Sequence, residues 1–118
     1  MGVAALTPAK LSAALPALDE HGLLPEGIHD STFAEVEKKF VTNPHRAKLW
    51  KQLHAFSEWV RPMNRFSHLY LDGGFITAKS TPQDIDVILQ PRASYVTEAL
   101  ESMIPFFSLG MVKITANY

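Results

Sequence analysis

Between residues 44 and 63, apolar side chains recur at Leu49, Leu53, Phe56, Val60 and Met63, in steps of four and three. That spacing returns to one side of an α-helix, so a helix with a continuous apolar stripe is predicted over residues 44 to 61. Asn43-Pro44 marks its start: the asparagine can accept from a free first-turn N–H, and proline at the first helical position forfeits no bond. Thr32 and Glu35, three apart, match the reciprocal capping box and open a predicted helix over residues 33 to 41. Val96, Leu100, Met103 and Ile104 mark one face of another, near 94 to 104. Thr7-Pro8 repeats the cap-then-proline signal and predicts a short helix over residues 8 to 19.

Other apolar runs are too short for helices. Leu69-Tyr70-Leu71, Ile85 to Leu89, and Met111 to Tyr118 with its β-branched Val112, Ile114 and Thr115, read as strands bounded by turn residues. "GLLPEG", residues 22 to 27, is a turn that joins a helical leader, residues 1–22, to the main body, and His29-Asp30 in "GIHD" reads as a further turn with a local hydrogen bond. The order helices, strand, turn, strand, helix, strand predicts an α/β or α+β domain with helices on a small sheet.

Composition narrows the function classes. A chain of 118 residues, 47% hydrophobic and 19% charged, fits one globular domain over residues 1–118. The formal net charge of -1 provides no global field toward nucleic acid or an anionic membrane. The absence of cysteine excludes a disulfide framework, a thiolate metal site and cysteine nucleophilic chemistry, and agrees with a reducing, cytoplasmic location. No run approaches the roughly 20 apolar residues needed to span a bilayer. Pro16 interrupts the N-terminal apolar run and no basic region precedes it, so it does not read as a signal peptide; Leu6 stands where a myristoylation motif wants Ser or Thr. His21, His29, His45, His54 and His68 lack zinc-site spacing. His45 and Arg46, in the long helix's first turn, read as solvated residues, with contact to a substrate phosphate as the alternative if that helix end faces the cleft, and Trp50 and Trp59, nine apart, fall on different sides of the helix.

One stretch carries chemistry: "YLDGGFITAKSTPQDIDVIL", residues 70 to 89. Asp84 and Asp86 are two apart in a strand and so project to the same face. Two carboxylates held together repel, and a divalent cation relieves the conflict; hard oxygen ligands of this kind suit Mg²⁺. Gly73-Gly74 lies between the two strands, where missing Cβ atoms let backbone N–H groups approach a phosphate, and a helical turn over residues 75 to 79 would add further N–H groups. Lys79, on the same loop, could neutralise a triphosphate, although a plain surface lysine is the commoner outcome at such a position. The structural alternative is that the glycines only turn the chain and the aspartates only cap a surface strand.

"LDGGF" followed by "DIDVIL" resembles the signature of the DNA polymerase beta-like nucleotidyltransferase superfamily, in which an apolar residue, Gly, and Gly or Ser precede a spacer of about ten residues and an acidic, apolar, acidic triplet. With "LPEGIHDSTFAEVEKKF" and "NPHR", the pattern over residues 22 to 90 looks like a small bacterial group within that superfamily. The resemblance implies an antiparallel-leaning mixed sheet flanked by helices, with a nucleoside triphosphate and Mg²⁺. Gly73 and Gly74 would hold phosphate; Asp84 and Asp86 would ligate metal. Active members carry a third carboxylate on a later strand, and "GMVKITANY" has none. Two expectations follow: a minimal enzyme moving a nucleoside monophosphate onto a hydroxyl of protein, RNA or a small molecule, or a catalytically degenerate module that binds a partner protein, antitoxin-like, or a second copy of itself. A final strand left unpaired also points toward a longer chain or a covering dimer.

Overall fold

The computed structural model describes residues 2–6, 15–63, 66–91, 107–108 and 111–115. Along the chain these form β1 (Val3–Leu6), β2 (Ile28–Ser31), α1 (Phe33–Phe40), α2 (Pro44–Val60), β3 (Phe66–Asp72), β4 (Asp84–Pro91), β5 (Phe107–Ser108) and β6 (Met111–Thr115), with single 3₁₀ turns at Arg61–Met63 and Gly74–Ile76.

Local chemistry sets both helix starts as the sequence predicts. The Thr32 side chain accepts from the Glu35 N–H at 3.2 Å while Glu35 Oε1 accepts from the Thr32 N–H at 3.2 Å. Asn43 Oδ1 accepts from the Arg46 N–H at 2.8 Å, with Pro44 in the first turn. Each such cap contributes about 1 kcal/mol by satisfying a donor the helix cannot.

Among the described residues the strands form one sheet in the order β2-β1-β3-β4-β6-β5. β1 and β2 run parallel and every other neighbour is antiparallel, which makes the sheet mixed and the fold α+β. Along β4 the pattern alternates strictly: Ile85, Val87 and Leu89 turn into the core, Asp84 and Asp86 away from it. The inward residues meet Leu71, Ile114, Ala4 and Leu6 from the other strands and Val36, Phe40, Leu49, Trp50, Leu53 and Val60 from the helices. Leu49 and Leu53 are wholly buried, each worth about 1.5–3 kcal/mol relative to exposure. Trp50 ties the layers together: its Nε1–H donates to Glu37 Oε1 at 2.6 Å, and its ring stacks on Phe75 with centroids 6.0 Å apart. Trp59, on the other side of the helix, is exposed, as their spacing predicts.

Two expectations fail at the N-terminal end. The stretch read as a helical leader supplies β1, an interior strand between β2 and β3, and residues 15 to 19 are irregular chain. Four residues, Val-Ala-Ala-Leu, are too few to show a period, and pairing on both sides makes them a strand. Likewise Ile28, His29 and Asp30 of "GIHD" are strand rather than turn, although His29 keeps a local bond between Nε2 and the Pro25 carbonyl at 2.8 Å. The helix predicted near 94 to 104 and residues 8 to 14 of the predicted leader helix lie outside the described residues. No helix among the described residues is long and apolar enough to cross a membrane.

Candidate functional site

The antiparallel pairing of β3 with β4 sets Asp72 opposite Asp86 and brings the intervening loop back beside the acidic strand. Gly73 turns the chain there with φ +81° and ψ -164°, a conformation restricted almost entirely to glycine. A Cβ at that position would stand 2.6 Å from Asp86 Oδ2, so the missing side chain also makes room for the carboxylate. Asp72 shapes the same turn, its Oδ1 accepting from the Gly73 N–H at 2.8 Å. Gly74 is under less constraint: a Cβ would meet Lys79 Cδ at 3.4 Å and Pro82 at 3.6 Å.

Asp84 and Asp86 do share a face, the one opposite α1 and α2, with side chains 29% and 20% exposed. Between them stands a cation from the chain itself. Lys113 is paired directly across from Asp86 on β6, and its Nζ lies 2.8 Å from Asp86 Oδ1 and 3.8 Å from Asp84 Oδ2. The hydrogen bond to Asp86 and the negative charges of both carboxylates hold the ammonium's pKa above the ordinary lysine value. Sequence reasoning noticed that this strand lacks a carboxylate and missed the lysine, because nothing local marks which residue faces Asp86. Among the described residues no group of three or more His, Asp or Glu side chains gathers at metal-binding distance.

The loop itself is held from below, and the residue responsible is Arg46. Read from sequence as solvated, it is 2% exposed. Its Nη1 donates to the carbonyls of Phe40, at 3.1 Å, and Phe75; its Nη2 donates to the carbonyls of Thr77, at 2.7 Å, and Lys79; its Nε reaches Lys79 O at 3.1 Å. The guanidinium carbon also lies 5.0 Å from the centre of the Phe75 ring. Burial pushes the guanidinium pKa down, yet it stays charged because arginine starts so far above neutrality. Neighbouring side chains of the same helical turn complete the clasp. Asn43 Nδ2 donates to Ser80 O at 2.9 Å, and His45 Nε2, which must carry its proton to do so, donates to Pro82 O. Thus "NPHR" is a grip on the loop between the glycines and the aspartates. The signal available in sequence was three polar side chains in the first turn of a helix whose stripe lies elsewhere.

The expected helical turn after the glycines shrinks to Gly74–Ile76, too short to add a helix dipole. Lys79 is exposed on the loop, its stem alongside Gly74 and its backbone carbonyl turned to Arg46.

Fold and site together define a class: a small α+β domain whose mixed sheet sets an acidic pair beside a glycine turn. The chain belongs to DUF6932, a family of unknown function, which matches residues 16–117. Neither a curated protein nor a solved structure matches it.

Proposed function

We propose that this protein is a nucleotidyltransferase-type domain that binds a nucleoside triphosphate with Mg²⁺ and transfers the nucleoside monophosphate to a hydroxyl of a protein, an RNA or a small molecule. The observation that carries the reading is the contact between Gly73 and Asp86: a turn that only glycine can make abuts a carboxylate of a same-face acidic pair. A turn that merely linked two strands would not need both features at one place.

The donor set suits the metal. Asp84 and Asp86 offer hard carboxylate oxygens, partly exposed and on one face, and Mg²⁺ commonly takes one or two carboxylates with the remaining positions left to water and phosphate. When bound, the ion supplies neutralisation of charge on the phosphate oxygens. Gly74 leaves its side of the turn uncrowded for a phosphate, which would reach the Gly73 N–H by displacing Asp72 Oδ1; Lys79 brings a positive charge to the same loop, and Arg46 fixes the loop's shape before a ligand arrives. In the transfer, the hydroxyl oxygen bonds to the α-phosphorus as its proton passes to solvent water, the bond to the bridging α–β oxygen breaks, and pyrophosphate leaves.

Lys113 favours a second reading. A lysine opposite Asp86 supplies no base for the hydroxyl proton, as a degenerate fold that serves as a partner-binding, antitoxin-like or self-associating module would show. Calorimetric titration with ATP and the other nucleoside triphosphates, with and without Mg²⁺, separates the two. Metal-dependent binding that disappears in the Asp84→Ala/Asp86→Ala variant supports the transferase. A folded wild-type protein that binds none of them leaves the interaction module.

A further inference from the structure

The acidic pair already has a counter-ion, and the chain provides it. Lys113 reaches both carboxylates from the neighbouring strand, while its own side chain remains 59% exposed. Neither burial nor packing compels the ammonium to stay; the attraction of two carboxylates that would otherwise repel one another is sufficient. The backbone register makes the contact available, since residues directly opposite on antiparallel strands have Cβ atoms about 5 Å apart, well within a lysine's reach.

We propose that Lys113 is a tethered counter-ion that keeps free divalent cations off Asp84 and Asp86. This rests on the metal-ligand reading of the pair given above. A hydrated dication approaching alone must displace Nζ and then sit beside an unpaired ammonium, so like charges meet where one pair of opposite charges was lost. A metal that arrives on a triphosphate brings excess negative charge, and the displaced lysine can turn to a phosphate oxygen as a charge-assisted donor. Metal and triphosphate therefore bind with mutual reinforcement that runs through Lys113, and by linkage each strengthens the other equally.

Mn²⁺ alone is the direct probe, read by calorimetry and by water-proton relaxation, on wild type, Lys113→Gln and Lys113→Arg, with folding checked by circular dichroism. The glutamine variant keeps the length and polarity of the side chain without its charge and binds Mn²⁺ about five- to tenfold more tightly than wild type, the scale of losing a screened contact to each carboxylate. The arginine variant stays as weak as wild type. Adding inorganic tripolyphosphate tightens Mn²⁺ binding in wild type more than in Lys113→Gln. Equal Mn²⁺ affinity in wild type and Lys113→Gln, or no detectable binding in either, overturns the proposal. Failure of wild type to bind nucleoside triphosphates, with the Mn²⁺ gain still present in Lys113→Gln, sinks the transferase reading and leaves Lys113's role standing.

Discussion

Replacing Arg46 tests the grip of α2 on the glycine loop. Its guanidinium satisfies carbonyls of Phe40, Phe75, Thr77 and Lys79. In Arg46→Ala the Phe40 carbonyl keeps the Thr42 N–H at 3.1 Å, but the buried carbonyls of Phe75 and Thr77 lose their donor, and a buried carbonyl left without one costs about 1–3 kcal/mol. Taking the middle of that range for each, adding the packing lost over Phe75, and subtracting the desolvation that the cation no longer incurs, the net loss is about 3–5 kcal/mol. A domain of this size has only about 5–15 kcal/mol in total, so the variant sits near its folding limit. With a urea slope of about 1.5 kcal/mol per molar, a 4 kcal/mol loss lowers the denaturation midpoint by roughly 2.5 M. Arg46→Lys keeps charge but loses the planar fork, and its smaller loss, about 2 kcal/mol, leaves a folded protein in which the loop can be watched. There the protected amides of Thr77, Ala78 and Lys79, compared with wild type under conditions of local opening, exchange roughly 30-fold faster. A loss below about 1 kcal/mol in Arg46→Ala, with loop exchange unaltered in Arg46→Lys, would refute the clasp and show that water serves those carbonyls equally well.

The two glycines separate cleanly. Gly73→Ala meets both a forbidden backbone region and the Asp86 carboxylate, and costs about 2–3 kcal/mol in thermal unfolding, whereas Gly74→Ala, which pushes only on a flexible lysine stem and a proline, costs less than about 1 kcal/mol. Equal losses would mean that the turn is not held in the glycine-only conformation. Near the start of the described body, the Asp19 carboxylate accepts the N–H of Leu23 at 3.0 Å and of His21 at 2.8 Å, and these bonds, Leu23's first, lower its pKa. Because the native value lies below the unfolded one, its stabilising contribution is present above about pH 4 and lost as pH falls through the native value. The amide resonances of Leu23 and His21 should report that inflection below the ordinary aspartate range, and Asp19→Asn should abolish it; an inflection at or above that range contradicts the assignment.

What the sequence determined by itself was local. The capping box of Thr32 and Glu35, the Asn43 cap and the apolar stripe of α2 are all written within a few residues, where spacing alone decides which groups meet. The common face of Asp84 and Asp86 was legible for the same reason, since a strand's period of two needs no distant partner. Tertiary structure decided the rest. Lys113 lies 27 residues beyond Asp86, and only the β4–β6 register places it between the carboxylates; a shift of one residue would have turned it to the core face. Arg46 is 29 to 33 residues from the loop carbonyls it holds, and an arginine in a helix's first turn looks solvated until the fold brings carbonyls to it. Val3–Leu6 is a strand because two neighbours pair with it, a cause that lies wholly outside its own four residues. Periodicity and capping are short-range and additive, whereas register and burial arise only when distant segments share one core.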